Sequence, residues 1–244
     1  MFIREEFDKE KESLIRNLGK NADLKNQALD FVNVSNKVKY AYVWNWLGLP
    51  IIQMPEDVVK VQEIIFESKP DFIVETGVAW GGSILLSASI LKIVNPSGRV
   101  IGIDVTIPSH NAEKILNSPL SEMIELIEGS SVDNEVVSKV KNMVGSNSKV
   151  LLILDSHHTE DHVLQELDLW SELIQKDNYI IVCDTIVEFI EAPVDRPRSW
   201  SKGNNPLTGL SKFLKKNKRF ELSKTYNDKA LITFHPNGVL KAIS

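Results

Sequence analysis

The chain has 244 residues, 43% of them hydrophobic, which is long enough for one sizeable core and short for two independent domains. Its formal net charge of −5 argues against a nucleic acid or an anionic membrane as the principal partner. Its one cysteine, Cys183, excludes an intramolecular disulfide framework, and no apolar run is long enough for a signal peptide or a membrane span, so we expect a cytoplasmic protein.

The first 50 residues are predicted to form a helical extension ahead of a main domain that spans 51–244. Residues 4–20 and 24–38 combine helical spacing with high charge, as is typical of surface helices. Such helices could cap a site or mediate homo-oligomerisation. In the irregular segment that follows, Trp44 and Trp46 are expected to pack, with a pocket-lining role as the alternative.

A regular alternation of strands and helices follows a helix predicted at 55–68. Strands are predicted at 71–75, 99–104, 122–127, 149–154 and 178–184, and helices at 83–94, 111–117, 132–143, 161–175 and 206–217. Such alternation indicates an α/β fold with a Rossmann-like, mostly parallel sheet and helices on both faces. Two strand-like runs, 219–224 and 230–235, flank a short polar turn and predict an antiparallel C-terminal hairpin at the sheet edge.

The turn after the first of these parallel strands carries the strongest local signal. Glu75 ends the strand, and Gly77 and Gly81 allow backbone positions that a Cβ would forbid. The helix from Ser83 then points its free N–H groups into the turn. The spacing E-x-G-x-x-x-G-G departs from the dinucleotide fingerprint G-x-G-x-x-G, which disfavours NAD without excluding it. An ordinary strand-to-helix turn is the alternative interpretation.

Acidic residues also end the later strands, where parallel sheets bind their ligands. Asp104 lies about 20 residues beyond the glycines, a position suited to ribose hydroxyls, which indicates an adenosine-type cofactor. Asp155 and Asp184 end two neighbouring strands, so their carboxylates should meet. A divalent cation would relieve their repulsion, and oxygen ligands favour Mg²⁺, Mn²⁺ or Ca²⁺. Helix capping or ion pairing by these acids is the alternative.

Three histidines follow Asp155 directly. His158 lies three residues beyond this candidate ligand, and we expect it to act as a general base. His158 and His162 have the i, i+4 spacing of a zinc-binding pair, but the glutamate of that motif is missing. Hydrogen bonding to loop backbone is the alternative for His157 and His162. Cys183 lies within an apolar strand and is predicted to be a buried small residue rather than a nucleophile.

A resemblance to a known family is carried by a series of motifs, which read ETGVAWGGS, GIDV, IPSHN, EGSSVD, LDSHHTEDHVLQEL, CDT, GNNP and ITFHPNGVLK. Together they resemble the cephalosporin hydroxylase family, a branch of the class I S-adenosylmethionine-dependent methyltransferase fold, over about residues 50–244. That family is similar to metal-dependent O-methyltransferases such as catechol O-methyltransferase, and it includes sugar and natural-product methylating enzymes.

The resemblance implies roles for individual residues. It implies cofactor binding by Glu75, Gly77, Gly81 and Ser83 at the methionine part, Asp104 at the ribose, and Ser131 and Asp133 near the adenine. Asp155 and Asp184 correspond to metal ligands, and Thr185 stands where catechol-type enzymes carry a third ligand, asparagine. His158 falls where those enzymes place a catalytic lysine. The chain departs from the family at Cys183, where members often have glutamate.

The leading hypothesis is methyl transfer from S-adenosyl-L-methionine to a hydroxyl of a small polar acceptor, such as a sugar or natural product. Mg²⁺ or Mn²⁺ would lower the pKa of that hydroxyl, and His158 would take its proton. The long loop 193–206, with Trp200, Asn204 and Asn205, would close over the acceptor. The alternatives are hydroxylation of a natural product, which needs a redox centre, and a non-catalytic nucleotide-binding module of the same fold.

Overall fold

The computed structural model describes residues 3–191 and 197–244. Its N-terminal part contains α1 (Arg4–Lys20), α2 (Ala22–Lys37), the short strands β1 (Asn45–Trp46) and β2 (Leu49–Pro50), and α3 (Pro55–Ser68). The central part contains β3 (Phe72–Thr76), α4 (Gly82–Val94), β4 (Arg99–Asp104), α5 (Ser109–Leu116), β5 (Ile124–Glu128), α6 (Asn134–Val144), β6 (Val150–Leu154), α7 (Glu160–Trp170) and β7 (Tyr179–Val182). The last part contains α8 (Pro206–Lys216), β8 (Phe220–Leu222), α9 (Lys224–Lys229) and β9 (Val239–Ala242).

Seven of these strands form one sheet in the order β5-β4-β3-β6-β7-β9-β8. The neighbours from β5 to β7 pair in parallel, and β9 runs antiparallel to both β7 and β8. The chain moves outward from β3 through β5 and then returns to place β6 on the other side of β3. The strand order therefore reverses between β3 and β6, where α/β sheets bind ligands. The predicted Rossmann-like, mostly parallel fold is confirmed.

The central strands are buried on both faces of the sheet. All five residues of β6 are buried, which explains its continuous apolar sequence. Adjacent residues point to opposite faces, so Ile73 and Leu151 join the hydrophobic cluster on one face, while Val74 and Leu152 join the cluster on the other. Helices cover both clusters and leave the strand ends as the place where polar groups can meet a ligand.

The predicted antiparallel C-terminal strands are present, but the second of them lies at 239–242 and not at 230–235. Residues 225–229 belong to helix α9, and no strand forms over 230–235. The backbone N–H groups of Leu231 and Ile232 donate to the carboxylate of Glu56, and that of Phe234 donates to Asp57. Because carboxylates of α3 accept hydrogen bonds from these N–H groups, residues 230–235 do not pair as a strand despite their alternating apolar residues. The last strand is β9, inserted between β7 and β8.

The N-terminal helices differ in how they attach. No residue of α1 is buried, and this helix contacts α9. Helix α2 buries Val32, which packs in a small cluster that also contains Ile186 and Phe234. In the segment that follows, the indole N–H of Trp46 donates to Ser89 at 3.0 Å, and Trp44 packs edge-on against Tyr40, as the packing interpretation predicts.

Every helix in the described part of the chain is too short or too polar to span a lipid bilayer.

Candidate active site

A cavity of about 670 Å³ opens at the carboxyl ends of β3, β4, β6 and β7. Of the residues singled out in the sequence, it is lined by Gly77, Gly81, Ser83, Asp104, Ser131, Asp155, His158, Asp184 and Trp200. Residues 36–53 of the N-terminal part close a further side through Asn36, Tyr42 and Gln53. The cavity therefore joins most of the predicted cofactor residues to Asp155 and Asp184, whereas Glu75, Asp133 and Thr185 do not line it.

The glycine turn, residues 77–82, needs glycine for both conformation and space. Gly77 has φ +93°, and a Cβ there would lie 2.1 Å from the carbonyl oxygen of Asp155. Gly81 has φ +85°, and a Cβ there would lie 2.4 Å from a side-chain carbon of Ile115. A side chain at either position would meet atoms that are already packed, so glycine keeps the backbone of the turn close to the end of β6.

Asp104 holds this turn through one carboxylate oxygen. The backbone N–H groups of Val78 and Ala79 donate to Asp104 Oδ2 at 2.9 and 3.2 Å. Oδ1 has only a 3.4 Å contact with the backbone of Thr106. Asp104 therefore shapes the turn and still presents an acceptor oxygen to the cavity it lines.

Glu75 lies beneath the turn and is 1% exposed. The hydroxyl of Ser83, in the first turn of α4, donates to Glu75 Oε1, whereas Oε2 bonds to no group in the part of the chain that the structure describes. Burial raises the pKa of Glu75 to about 7, and the hydrogen bond from Ser83 opposes this shift. A ligand with a cationic or donor group would find an acceptor here.

The two residues expected near an adenine lie in different places. Ser131 is buried in the cavity wall, with its hydroxyl 3.2 Å from His162 Nε2. Asp133 does not line the cavity: it is the N-cap of α6 and accepts from the backbone of Glu135 at 2.7 Å. Helix capping thus engages one oxygen of Asp133 outside the cavity, and a role of this residue near the adenine stays a prediction.

The structure brings Asp155, His158 and Asp184 together, and we call them the aspartate–histidine cluster. Their potential ligand atoms all lie within 4.8 Å of one another. His158 Nε2 is 3.3 Å from Asp184 Oδ2. Burial and the neighbouring charge of Asp184 raise the pKa of Asp155 well above its usual range. Two carboxylates and an imidazole nitrogen at this spacing are donors that suit a divalent cation.

Thr185 does not join this cluster. Its side chain is fully buried, and its hydroxyl donates to the carbonyl oxygen of Pro236 at 2.7 Å. The third member of the cluster is His158 and not Thr185. Cys183 is buried at 1% exposure, and burial raises the pKa of its thiol well above the ordinary value, which fits the predicted packing role.

The other two histidines hydrogen-bond to side chains rather than to loop backbone. His162 Nε2 lies 3.0 Å from the hydroxyl of Ser156, which in turn donates to Glu166 at 2.7 Å. The two ring nitrogens of His157 lie 3.0 Å from the hydroxyls of Thr159 and Ser199. These bonds hold both rings beside the cluster but outside it.

The long loop contributes Pro197, Arg198 and Trp200 to the cavity wall and uses other residues as caps. The ring of Trp200 packs edge-on against His158, with 4.9 Å between the centroids. Asn204 caps α7 by accepting from the backbone of Glu160, and Asn205 caps α8 as its N-cap residue. Neither asparagine lines the cavity, and the closing of this loop over an acceptor stays a prediction. Residues 193–196 of this loop lie outside the described residues.

Two features of the site involve residues that no sequence motif singled out. His235, 51 positions beyond Asp184, accepts a hydrogen bond from the Asp184 backbone. Gln53 is 5% exposed and lines the cavity, and its Oε1 has no hydrogen-bond partner among the described residues, as is also true of Trp200 Nε1. The position of His235 directly after an apolar run is the only sequence pattern that could have pointed to it. No sequence pattern points to Gln53.

Comparison with known protein families gives a match over most of the chain. The sequence model of the family described as rhamnosyl O-methyltransferase/CmcI matches residues 38–243. The rhamnosyl O-methyltransferase of Mycobacterium leprae (strain TN) is 28% identical over 148 residues, which are 59% of this chain and 62% of the relative. That of Mycobacterium bovis (strain BCG / Pasteur 1173P2) is 27% identical over 149 residues, 59% and 58% of the two chains. The match thus spans about three-fifths of these curated relatives.

Solved structures share the fold at low sequence identity. CmcI-D160, described with Mg-SAM, has a TM-score of 0.59 at 20% identity, covering 83% of this chain and 78% of that one. The O-methyltransferase TomG from Streptomyces achromogenes, described in complex with SAM, has a TM-score of 0.57 at 10% identity, covering 89% and 90%. At these identities the likeness concerns the arrangement of strands and helices.

Proposed function

The chain belongs to the rhamnosyl O-methyltransferase/CmcI family, and from that membership and the geometry of the cavity we propose its function. We propose that it transfers a methyl group from S-adenosyl-L-methionine to a hydroxyl of a small acceptor, a sugar or natural product, with the help of Mg²⁺ or Mn²⁺. One observation carries the proposal: the glycine turn and the aspartate–histidine cluster line the same cavity at the point where the strand order reverses.

The residues on the β3 side fit the cofactor. Glu75 Oε2 is a buried acceptor without a partner among the described groups, which suits the amino group of the methionine part. Gly77 and Gly81 keep side chains out of the turn, so a ligand can approach the backbone closely. Asp104 offers Oδ1 to the ribose hydroxyls, and Ser131 lies in the wall where the adenine would follow.

The residues on the β6 and β7 side fit the cation. Asp155 and Asp184 supply two carboxylates within reach of one ion. When bound, a divalent cation supplies positive charge that lowers the pKa of an acceptor hydroxyl. The protein's own part is to hold these carboxylates in place, and the edge of Trp200 excludes water from one side.

His158 is proposed as the general base. Its Nε2 lies 3.3 Å from Asp184 Oδ2, so a proton received from the acceptor would be stabilised by that carboxylate. The ring also lies in the cluster, where it could serve as a third ligand instead. His158→Gln separates the two roles, because loss of a base lowers kcat by about 10²–10⁴ and leaves the affinity for Mn²⁺ unchanged.

The donor set disfavours the hydroxylase alternative. Iron(II) oxygenases of the facial-triad type use two histidines and one carboxylate. The aspartate–histidine cluster has one histidine and two carboxylates, and His162 Nε2 is taken up by Ser131 and Ser156. The non-catalytic alternative predicts that Asp155→Ala and Asp184→Ala leave partner binding intact.

Calorimetry with purified protein tests the proposed function. S-adenosylmethionine and S-adenosylhomocysteine should bind with and without Mg²⁺, and a labelled methyl group should pass to hydroxyls in a panel of deoxysugars and glycosides only when Mg²⁺ or Mn²⁺ is present. NAD serves as the control ligand and should not bind. Absence of S-adenosylmethionine binding under both conditions would sink the proposal.

A further inference from the structure

The segment 231–238, which we call the C-terminal clamp, joins helix α3 to the turn that carries Asp184. On the side of the turn it makes four hydrogen bonds. Val182 N donates to Gly238 O at 2.8 Å, Asp184 N to His235 Nδ1 at 3.0 Å, Thr185 Oγ1 to Pro236 O at 2.7 Å and Ile186 N to Phe234 O at 3.1 Å. Three backbone N–H groups and one hydroxyl within two residues of Asp184 thus donate to a segment more than 45 residues away.

On the side of α3, the clamp is fixed by a buried carboxylate. Asp57 is fully buried and accepts hydrogen bonds from Lys60 Nζ, Thr233 Oγ1 and the backbone of Phe234. Lys60 is itself 2% exposed and also donates to Thr233 at 3.0 Å. Because a buried ion pair with its hydrogen bonds satisfied resists rearrangement, this end of the clamp is rigid.

His235 is the clamp residue whose side chain contacts the Asp184 backbone. It is 2% exposed, so its ring cannot turn to solvent. Since Asp184 N–H donates to Nδ1, the ring accepts at Nδ1 and carries its hydrogen on Nε2, which lies 3.9 Å from Asp57 Oδ2. Nε2 has no hydrogen-bond partner among the described residues, so the ring is hydrogen-bonded through Nδ1 to the peptide group of Asp184.

The backbone of Asp184 needs such support. Asp184 has φ +53°, a left-handed conformation that is unfavourable for a residue with a Cβ. This conformation directs its carboxylate toward His158 and Asp155 in the cavity. A hydrogen bond to the Asp184 N–H fixes the preceding peptide plane and so fixes φ.

We propose that His235 is a positioning residue that holds Asp184 in the left-handed conformation required for binding the divalent cation. The inference rests on the proposed function, since it concerns the cation that Asp155 and Asp184 are proposed to hold. His235 does not line the cavity, so it acts through Asp184 and not through contact with a substrate.

A matched pair of substitutions tests this role. In His235→Asn the amide can occupy the place of Nδ1 and still accept from Asp184, whereas in His235→Gln the amide reaches the place of Nε2 and leaves Asp184 N–H without its partner. Calorimetric titration of the metal-free protein with Mn²⁺ should give an affinity within about threefold of wild type for His235→Asn and about 10–100-fold weaker for His235→Gln. Amide hydrogen exchange at Asp184 should accelerate in His235→Gln alone.

Tyr226→Phe is the control for general loss of stability. It removes a buried hydrogen bond to Glu67 in the same C-terminal region without touching the clamp, so Mn²⁺ affinity should stay within about threefold of wild type. Equal Mn²⁺ affinity and equal exchange at Asp184 in His235→Asn and His235→Gln would overturn the positioning role alone. A wild-type chain that binds no Mn²⁺ would overturn the metal-assisted function and this inference with it.

Discussion

The two ends of the cavity are built in different ways. At the β3 end, the glycine turn gets its shape from Gly77 and Gly81 and from one aspartate at the end of the neighbouring strand. At the β7 end, the backbone of Asp184 is held by His235, 51 positions later in the chain. A short motif therefore encodes the cofactor end, whereas the metal end exists only after distant segments have packed. A substitution at one end of the cavity should therefore leave the ligand affinity of the other end nearly unchanged.

The largest effect is expected at the metal end. Asp184→Ala removes a carboxylate from the aspartate–histidine cluster and should lower turnover on the order of 10³-fold, as loss of metal-assisted stabilisation predicts. S-adenosylmethionine affinity, measured by calorimetry, should stay within about threefold because the glycine turn is untouched. Asp184→Asn keeps the side-chain size and one oxygen atom, so its turnover should lie between those of wild type and Asp184→Ala. Undiminished turnover in Asp184→Ala would argue for the non-catalytic module.

At the cofactor end, Gly77→Ala should destabilise the protein. The new Cβ would lie 2.1 Å from the Asp155 carbonyl at φ +93°, so strain and overlap add to about 3 kcal/mol, or roughly 6–12 °C in Tm. Gly145→Ala is the matched control: its φ is +72°, but no atom lies within 4 Å of the new Cβ, so only the strain remains. Equal melting temperatures for the two variants would show that the turn does not depend on the close approach.

Glu75→Gln should stabilise the ligand-free protein in a pH-dependent way. Burial raises the folded-state pKa of Glu75 to about 7 from 4.5, so the folded protein binds more protons between these values, and its stability falls as pH rises from 4.5 to 7. The penalty above pH 7 is on the order of 3 kcal/mol, and glutamine removes it. In thermal unfolding at pH 8, Glu75→Gln should therefore have a higher Tm than the wild-type protein.

The same two proteins should differ little at pH 4.5, where the buried carboxyl is largely protonated. Glu125→Gln, at an exposed position of β5, is the control and should change stability little at either pH. Calorimetry should show weaker S-adenosylmethionine binding by Glu75→Gln, because the acceptor Oε2 is lost. Tighter cofactor binding by the variant would contradict the assignment of Glu75 to the methionine part.

The smallest effect is expected in the long loop. Asn204→Ala removes the side chain that accepts from Glu160 N at 3.0 Å, so it should cost about 1 kcal/mol of unfolding free energy and leave the KM for the acceptor unchanged. Trp200→Phe, in the same loop, removes the indole N–H from the cavity wall and should raise that KM. A tenfold higher KM in Asn204→Ala would restore the asparagine to the acceptor site.

Sequence patterns predicted the parts of the fold that depend on local periodicity. The buried strands and their alternation with helices follow from apolar runs, and the structure has them. The reversal of strand order is known only from the structure. The run 230–235 shows where this reasoning fails. Its apolar alternation is that of a strand, but carboxylates of Glu56 and Asp57 bind its N–H groups, and a single-sequence pattern does not contain these partners.

The site residues show the same division between what local sequence predicts and what packing of distant segments decides. Acids at the ends of parallel strands must meet at one edge of a sheet, so the sequence by itself placed Asp104, Asp155 and Asp184 around one cavity. Where each polar side chain points was decided only by packing. Capping turned Asp133 away, Pro236 took the hydroxyl of Thr185, and His158 lay beside the carboxylates instead.

The sequence thus determined the sheet, the glycine turn and the strand-end acids, because these depend on backbone conformation over a few neighbouring residues. Only the tertiary structure decided that His235 supports Asp184 and that Gln53 faces the cavity. The physical reason is that a hydrogen bond between side chains and distant backbone forms only where packing brings both groups within about 3 Å, and hydrophobic periodicity carries no record of that distance.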